Sequence, residues 1–383
     1  MSLEMGADPG QMSVGEKLIE VSWGLVLLII VVAGVGFAML YSAANGNMHP
    51  WASAQLERFA IGVVLMMMVA LIDIRLWMRF AYVLYGLTFL LLIAVELVGQ
   101  VGGLGAQRWI DLGFIQLQPS EVMKVTLVLA LARYFHGATV EETGRIPFLL
   151  VPLLMMAAPV VLVLRQPNLG TALMLVAVTG ALLFLVGVRL WKFGLVIGAG
   201  LAAIPAVWPF LHGYQKNRVL TFLNPEIDPL GKGYHIMQSQ IALGAGGVFG
   251  KGFLMGTQSH LNFLPEKQTD FIFTMLAEEF GLVGAAGFIA LYALLLVYGF
   301  VIAMRCRHQF GRLVALGLTV NLFLYMFINM AMVIGLIPVV GIPLPLISYG
   351  GTATLTVMIG FGLLLSVHIH RDVRMSRRGI SDF

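Results

Sequence analysis

Residues 271–304, FIFTMLAEEFGLVGAAGFIALYALLLVYGFVIAM, contain two acids, Glu278 and Glu279, and otherwise almost nothing that water would retain. As one continuous helix the stretch would be about 51 Å long, against about 30 Å of bilayer hydrocarbon. Its first turns must therefore protrude, tilt or break near Gly281 and Gly284. The two acids place those turns outside the membrane or beside a wet cavity, because charge within lipid is costly.

Runs of the same character recur on both sides. Apolar stretches ended by charges or by Gly and Pro predict spans near 22–42, 58–74, 77–98, 119–135, 146–164, 169–187, 190–210, 271–304, 312–335 and 351–370. The expected fold is an all-α integral membrane protein of about ten transmembrane helices, with a long loop, residues 211–270, between helices seven and eight. Composition agrees: 59% of residues are hydrophobic and 11% charged, where soluble domains carry about 25% charged. Residues 1–20 read as a polar N-terminal segment, 21–370 as a single membrane domain and 371–383 as a basic tail. The first segment has four acids and only Lys17 as a base, so it lacks the basic start of a signal peptide, and the first span is expected to be retained.

Basic residues set the expected orientation. Alternate loops hold Lys17; Arg75 and Arg79; Arg133 and Arg145; Arg189 and Lys192; Arg305, Arg307 and Arg312; and Arg371, Arg374, Arg377 and Arg378. The short loops on the other side hold Arg58, Arg108 and Arg165. This asymmetry puts both termini in the cytoplasm and the 211–270 loop outside. The same cytoplasmic bias accounts for the net charge of +4, and with no basic patch interleaved with aromatics, nucleic-acid binding is not expected. Cys306, the single cysteine, excludes an internal disulfide. No internal repeat is evident, and no metal-ligand spacing commits the chain to a metal.

Charged residues beside apolar runs are candidates for chemistry. In LQPSEVMK (117–124), Pro119 and Ser120 read as a helix start, and Glu121 and Lys124 share a face at i, i+3; they form a local ion pair, or Lys124 meets an anion at the outer leaflet. RWIDLG (108–113) sets Arg108 beside Trp109, an aromatic suited to the interface. The long loop gathers Lys216, Arg218, Lys232, Lys251 and Lys267 with Glu226, Asp228, Glu266 and Asp270. It also contains an amphipathic stretch, YHIMQSQIALGAGG (234–247), suited to lying on the membrane or capping a cavity. Glycines 244, 246, 247, 250 and 252 form no dinucleotide fingerprint and read as flexible backbone. Asp270, just before the eighth span, is either its N-cap or a carboxylate placed for sugar transfer from a diphosphate-lipid donor.

The string GKGFLMGTQSHLNFLPEKQTDFIFTMLAEEFG (250–281) resembles the SEDS family of peptidoglycan polymerases, with TQSHLNFLPE closest to its RodA, or elongation, branch. RWIDLG, QPSEVMK, RQPNLGTA (165–172) and PLPLISYGGTA (343–353) resemble further family motifs in the same order, so the likeness covers about residues 100–370. It implies a ten-helix enzyme of the bacterial cytoplasmic (inner) membrane that joins lipid II disaccharides into glycan strands at the outer face. It further implies a class B penicillin-binding protein as the cross-linking partner.

Carried over, the family's essential aspartate falls on Asp270 and its cavity residues on Arg108, Glu121 and Lys124; Ser348 matches the serine before the YGG turn. Asn168 stands where the family usually has aspartate, and would still cap the following helix. Lipid II chemistry then requires an inverting displacement of undecaprenyl diphosphate, with Asp270 as general base. Arg108 and Lys124 would neutralise the diphosphate, helped by Lys251 or Arg218, or by a divalent cation such as Mg or Mn. The competing expectations are a lipid II flippase and a non-catalytic scaffold for a transpeptidase.

Overall fold

The structure is a computed structural model and describes residues 12–98, 100–101, 107–111, 116–207, 209, 213, 216, 220–222, 224, 232–261, 263–264 and 266–375. A short helix, α1 (Val14–Ile19), leads into α2 (Trp23–Ala43), α3 (Trp51–Leu71) and α4 (Ile74–Val98). Three short strands follow, β1 (Gln100–Val101), β2 (Gln107–Asp111) and β3 (Gln116–Leu117). Next come α5 (Pro119–Phe135), α6 (Val140–Thr143), α7 (Ile146–Arg165), α8 (Leu169–Leu185) and α9 (Leu190–Val207). The last five are α10 (Lys232–Ala245), α11 (Thr257–His260), α12 (Ile272–Arg305), α13 (Gln309–Ile334) and α14 (Gly351–Ile369).

A helix stands at each of the ten expected spans. Among the described residues seven of them, α2, α3, α4, α7, α12, α13 and α14, are long and apolar enough to cross a membrane. The others are α5, α8 and α9, of which α5 and α8 have 17 residues each. The chain is a multi-pass membrane protein. Helix α5 carries more polar side chains because it faces protein rather than lipid: it packs against α4, α7, α8, α13 and α14, and every residue from Pro119 to Ala132 except Val122 is buried. Pro119 occupies its first turn, as the sequence indicates.

Two expectations about where spans and loops lie need correction. Helix α3 begins at Trp51, not near 58, so Arg58 lies inside a helix and not in a loop. A charge marks the end of a span only where it reaches water, and the Arg58 guanidinium instead stacks over the Tyr349 ring, 4.5 Å from its centroid. The segment before α5 is also more than a loop: β2 pairs antiparallel with both β1 and β3.

Helix α12 breaks where its length requires. Gly281 has φ 66° and ψ −162° and interrupts its 34 residues. Residues 247–252 run beside the break, with Lys251 and Gly252 N–H donating to the Glu278 and Glu279 carbonyls, and Leu282 and Val283 N–H donating to Gly247 and Val248. A Cβ on Gly250 would collide with the Glu279 carbonyl, and one on Gly281 with Gly250 N. Both are close-approach positions, and for Gly250 this corrects its reading as flexible backbone.

Between α13 and α14 the chain dips back into the bundle. Leu344, Leu346 and Ile347 are buried, Tyr292 donates to the Pro345 carbonyl, and Gly36 of α2 packs against Leu346 and Ile347. Tyr292 lies eleven residues beyond Gly281, about 16 Å along α12. Non-helical backbone survives at such depth only if protein satisfies it. Here Tyr292, Asn329 and Gln55 supply donors to the carbonyls of Pro345, Ile342 and Ser348.

At the opposite end His308 caps α13, its Nδ1 accepting from Gly311 N–H at 2.9 Å while Nε2 faces the His370 carbonyl at 3.2 Å. Burial, aided by the neighbouring His136 and His370 and opposed by the bond to the His370 carbonyl and by Asp73, pushes its pKa down to about 4. The unfolded chain takes up that proton near pH 6.5. Stability from neutral His308 is therefore complete above pH 6.5 and is lost as pH falls toward 4, by up to about 3 kcal/mol. Melting temperatures in detergent should fall through this window, and His308→Gln should flatten the decline.

Candidate active site

Asp270 closes the turn 266–270 that leads into α12. It is not the N-cap: Phe271 takes that position, and no side chain caps the helix. The turn is held through its backbone instead. Asn329 Nδ2 donates both to the Asp270 carbonyl at 3.0 Å and to Ile342 at 2.8 Å. Ser348 Oγ donates to the Thr269 carbonyl at 2.6 Å and accepts from Leu344 N–H at 2.8 Å. Tyr349 N–H donates to Gln268 at 2.8 Å. The re-entrant segment thus fixes the base of the turn while the Asp270 side chain stays half-buried. Gly341, at φ +70°, lies beside the carboxylate: a Cβ there would stand 3.5 Å from Asp270 Oδ2, in ordinary van der Waals contact. Lys267 is buried on the same turn and donates to the Ser259 carbonyl at 2.8 Å; burial lowers its pKa.

Glu121 and Lys124 do form a pair, 2.6 Å apart with side chains 6% and 1% exposed. Tyr325 on α13 completes it, donating to Glu121 at 2.5 Å and accepting from Lys124, whose nitrogen lies 4.2 Å from the ring centroid. The Lys124 charge is thus neutralised within the protein. Tyr325 sits one helical turn, about 6 Å, below Asn329, so this triad underlies the Asp270 turn.

Arg108, half-buried on β2, donates from Nε to the Gln166 carbonyl at 3.0 Å and from Nη2 to Pro167 at 2.7 Å. These carbonyls precede Asn168, which caps α8 by accepting from Thr171 N–H at 3.3 Å. The Asn168 amide thus does what the sequence asked of it.

Arg58 escaped the sequence reading as a functional residue. Besides stacking on Tyr349, it has Nη1 buried with no hydrogen-bond partner among the described residues. It lies against Gly351, at the start of α14. Thr352 in that first turn joins β3 and α5 by donating to the Gln116 carbonyl at 2.5 Å and accepting from Gln118 N–H at 3.3 Å. An arginine on the side away from the base-rich loops was the available signal, as it was for Arg108.

Lys251 belongs to another construction. Its Nζ contacts Glu278 at 2.9 Å, and Glu278 also accepts from Gln258 and Ser259 N–H and from the Ser259 hydroxyl. Glu279 accepts from Ser42 and faces His260 at 3.3 Å. Both carboxylates are fully buried in protein rather than solvated; they clamp the 250–261 segment to α12. Arg218 lies outside the described residues. Among the described residues no three His, Cys, Asp or Glu side chains converge as metal ligands, so no protein-only cage is built for a divalent cation.

A family model for FtsW, RodA and SpoVE, described as a cell cycle protein, matches residues 17–373. The chain belongs to the FtsW/RodA/SpoVE family. Among its relatives, the peptidoglycan glycosyltransferase MrdB of Escherichia coli K12 is 45% identical over 354 residues, covering 91% of this chain and 94% of that one. MrdB of Helicobacter pylori 26695 is 39% identical over 80% of each. Of solved structures, a chain described under structural coordination of polymerization and crosslinking by a peptidoglycan synthase complex superposes with a TM-score of 0.81 at 34% identity, covering 92% of this chain and 98% of that one. The rod shape determining protein RodA of Thermus thermophilus gives 0.69 at 30% identity, with the same coverage. Family membership and the ten-helix fold expected from the sequence therefore agree.

Proposed function

We propose that the chain, a peptidoglycan glycosyltransferase, polymerises lipid II into β-1,4 glycan strands during cell elongation. The observation that carries the mechanism is the Asp270 turn: a half-buried carboxylate just before α12, on a turn held by Ser348 and Asn329 and flanked by Gly341. Asp270 acts as general base on the acceptor's GlcNAc 4-hydroxyl. That oxygen attacks the MurNAc anomeric carbon as the bond to undecaprenyl diphosphate breaks, with inversion. Ser348 acts through the turn it fixes.

Charge grows on the diphosphate in the transition state, so cations aimed there lower the barrier. Arg108 and Arg58 serve this role, with Arg218 as a helper. Glu121 and Lys124 form the floor of the site, and Lys251 holds its clamp. If a divalent cation takes part, Asp270 together with substrate phosphates would hold it, and no step above depends on one. Both termini are cytoplasmic, the Asp270 end faces outward from the inner membrane, and the new strand passes to a class B penicillin-binding protein.

Proteoliposomes given lipid II should form glycan strands; none formed with or without the partner would favour flippase activity. Arg58→Ala should lower kcat/KM for lipid II roughly 10- to 100-fold, the worth of a charge-assisted hydrogen bond. Arg58→Lys should recover part of this, because it keeps the charge and loses the planar fork. Initial rates across lipid II concentrations measure both.

A further inference from the structure

Beyond the Glu278 and Glu279 clamp, residues 247–255 leave the bundle as an apolar tongue. Phe249 is 83% exposed, Met255 68% and Val248 55%. Phe253 and Leu254 are also exposed, and the tongue's one charge, Lys251, turns inward to Glu278. So much contiguous apolar surface marks a contact with something other than water.

Its neighbours identify the occupant. Backbone hydrogen bonds hold Gly247 and Val248 against Leu282 and Val283, which begin the exposed apolar face of α12 at 65% and 56% exposure. From Leu282 to Arg305, α12 is about 36 Å long, slightly more than the hydrocarbon thickness, so Leu282 stands at the membrane surface. Phe253 packs at a tilt against Phe280 at 6.1 Å and stacks on Tyr41, near the end of α2, at 6.4 Å. The tongue therefore runs across the mouth of α2 and α12 at the level where aromatic rings settle in a bilayer.

We propose that residues 247–255 lie in the interfacial layer of the leaflet at the Asp270 end, with Phe249 and Met255 among the lipid chains. The partner of this face is lipid, continuous with the lipid-facing side of α12. The clamp then joins a membrane-anchored segment to the residues leading to Asp270, setting that turn's height above the bilayer. The inference rests on the membrane fold alone and holds for either orientation of the chain.

The test is quenching in proteoliposomes. A fluorophore is attached at Phe249→Cys, with Glu266→Cys, on the exposed turn, as the aqueous reference. Labelling is selective because Cys306 is buried and its thiol is pushed up to about 11, chiefly by that burial. Lipids bearing a shallow doxyl group should quench the probe at 249 and leave that at 266 bright, whereas iodide in the buffer should do the reverse. Iodide quenching at 249 equal to that at 266 would overturn the proposal. So would loss of iodide access only on adding a protein partner, which would make the occupant protein. If Phe249→Cys does not fold, Met255→Cys carries the same experiment and the same outcomes.

Discussion

Asp270→Asn should reduce glycan polymerisation by 10² to 10⁴, the usual worth of a general base, while leaving the protein folded. The second half follows from the geometry. The turn is held by Asn329 on the Asp270 carbonyl, by Ser348 on Thr269 and by Tyr349 on Gln268, and the helix that follows takes no cap from Asp270. An amide in place of the carboxylate keeps the shape and loses the base. Strand synthesis from lipid II is measured beside the melting temperature. Strands in equal yield from the variant would remove Asp270 from the mechanism, and loss of both activity and fold would make it structural.

Lys124→Met should cost about 3–5 kcal/mol of stability, because it strands the Glu121 carboxylate in the protein interior. Glu121→Gln combined with Lys124→Met should recover most of that loss, since a buried ion pair replaced as a unit costs far less than one left broken. Tyr325 can still donate to the glutamine oxygen. Denaturation in detergent measures the stabilities and lipid II polymerisation the function. A single variant as stable as the parent would refute the buried-pair account. A double variant that folds yet polymerises normally would restrict the triad to holding the floor of the site.

What the sequence made legible follows from how directly lipid acts on it. A span facing hydrocarbon must be apolar over its whole length, so α2, α7 and α12 announce themselves, and the excess length of 271–304 even located the break at Gly281. The start of α3 was misplaced because Arg58 spends its charge on an aromatic face rather than on water. The re-entrant segment was missed for a related reason: PLPLISYGG has the composition of a turn, and its depth depends on Tyr292, Asn329 and Gln55, each distant in sequence. At the site, Asp270, Arg108 and the Glu121–Lys124 pair were recognisable as charges in unusual places. Their partners were not, since Tyr325 and Ser348 are ordinary residues until the fold brings them together. Glu278 and Glu279 attracted notice for the right reason, yet their donors come from a loop some twenty residues upstream and, for Glu279, from Ser42 on α2.

The enclosure of α5 bears on how such a chain is made. Its 17 residues include Glu121 and Lys124, and ionised side chains within a span make its transfer from the insertion machinery into lipid unfavourable. The pair offsets part of that cost locally, but Tyr325 and the faces of α13 and α14 that pack on α5 arrive only some two hundred residues later. Hydrophobicity alone therefore does not commit α5 to its final place. Its last step of assembly waits for the end of synthesis, and the floor of the site closes only once the whole chain has been delivered to the membrane.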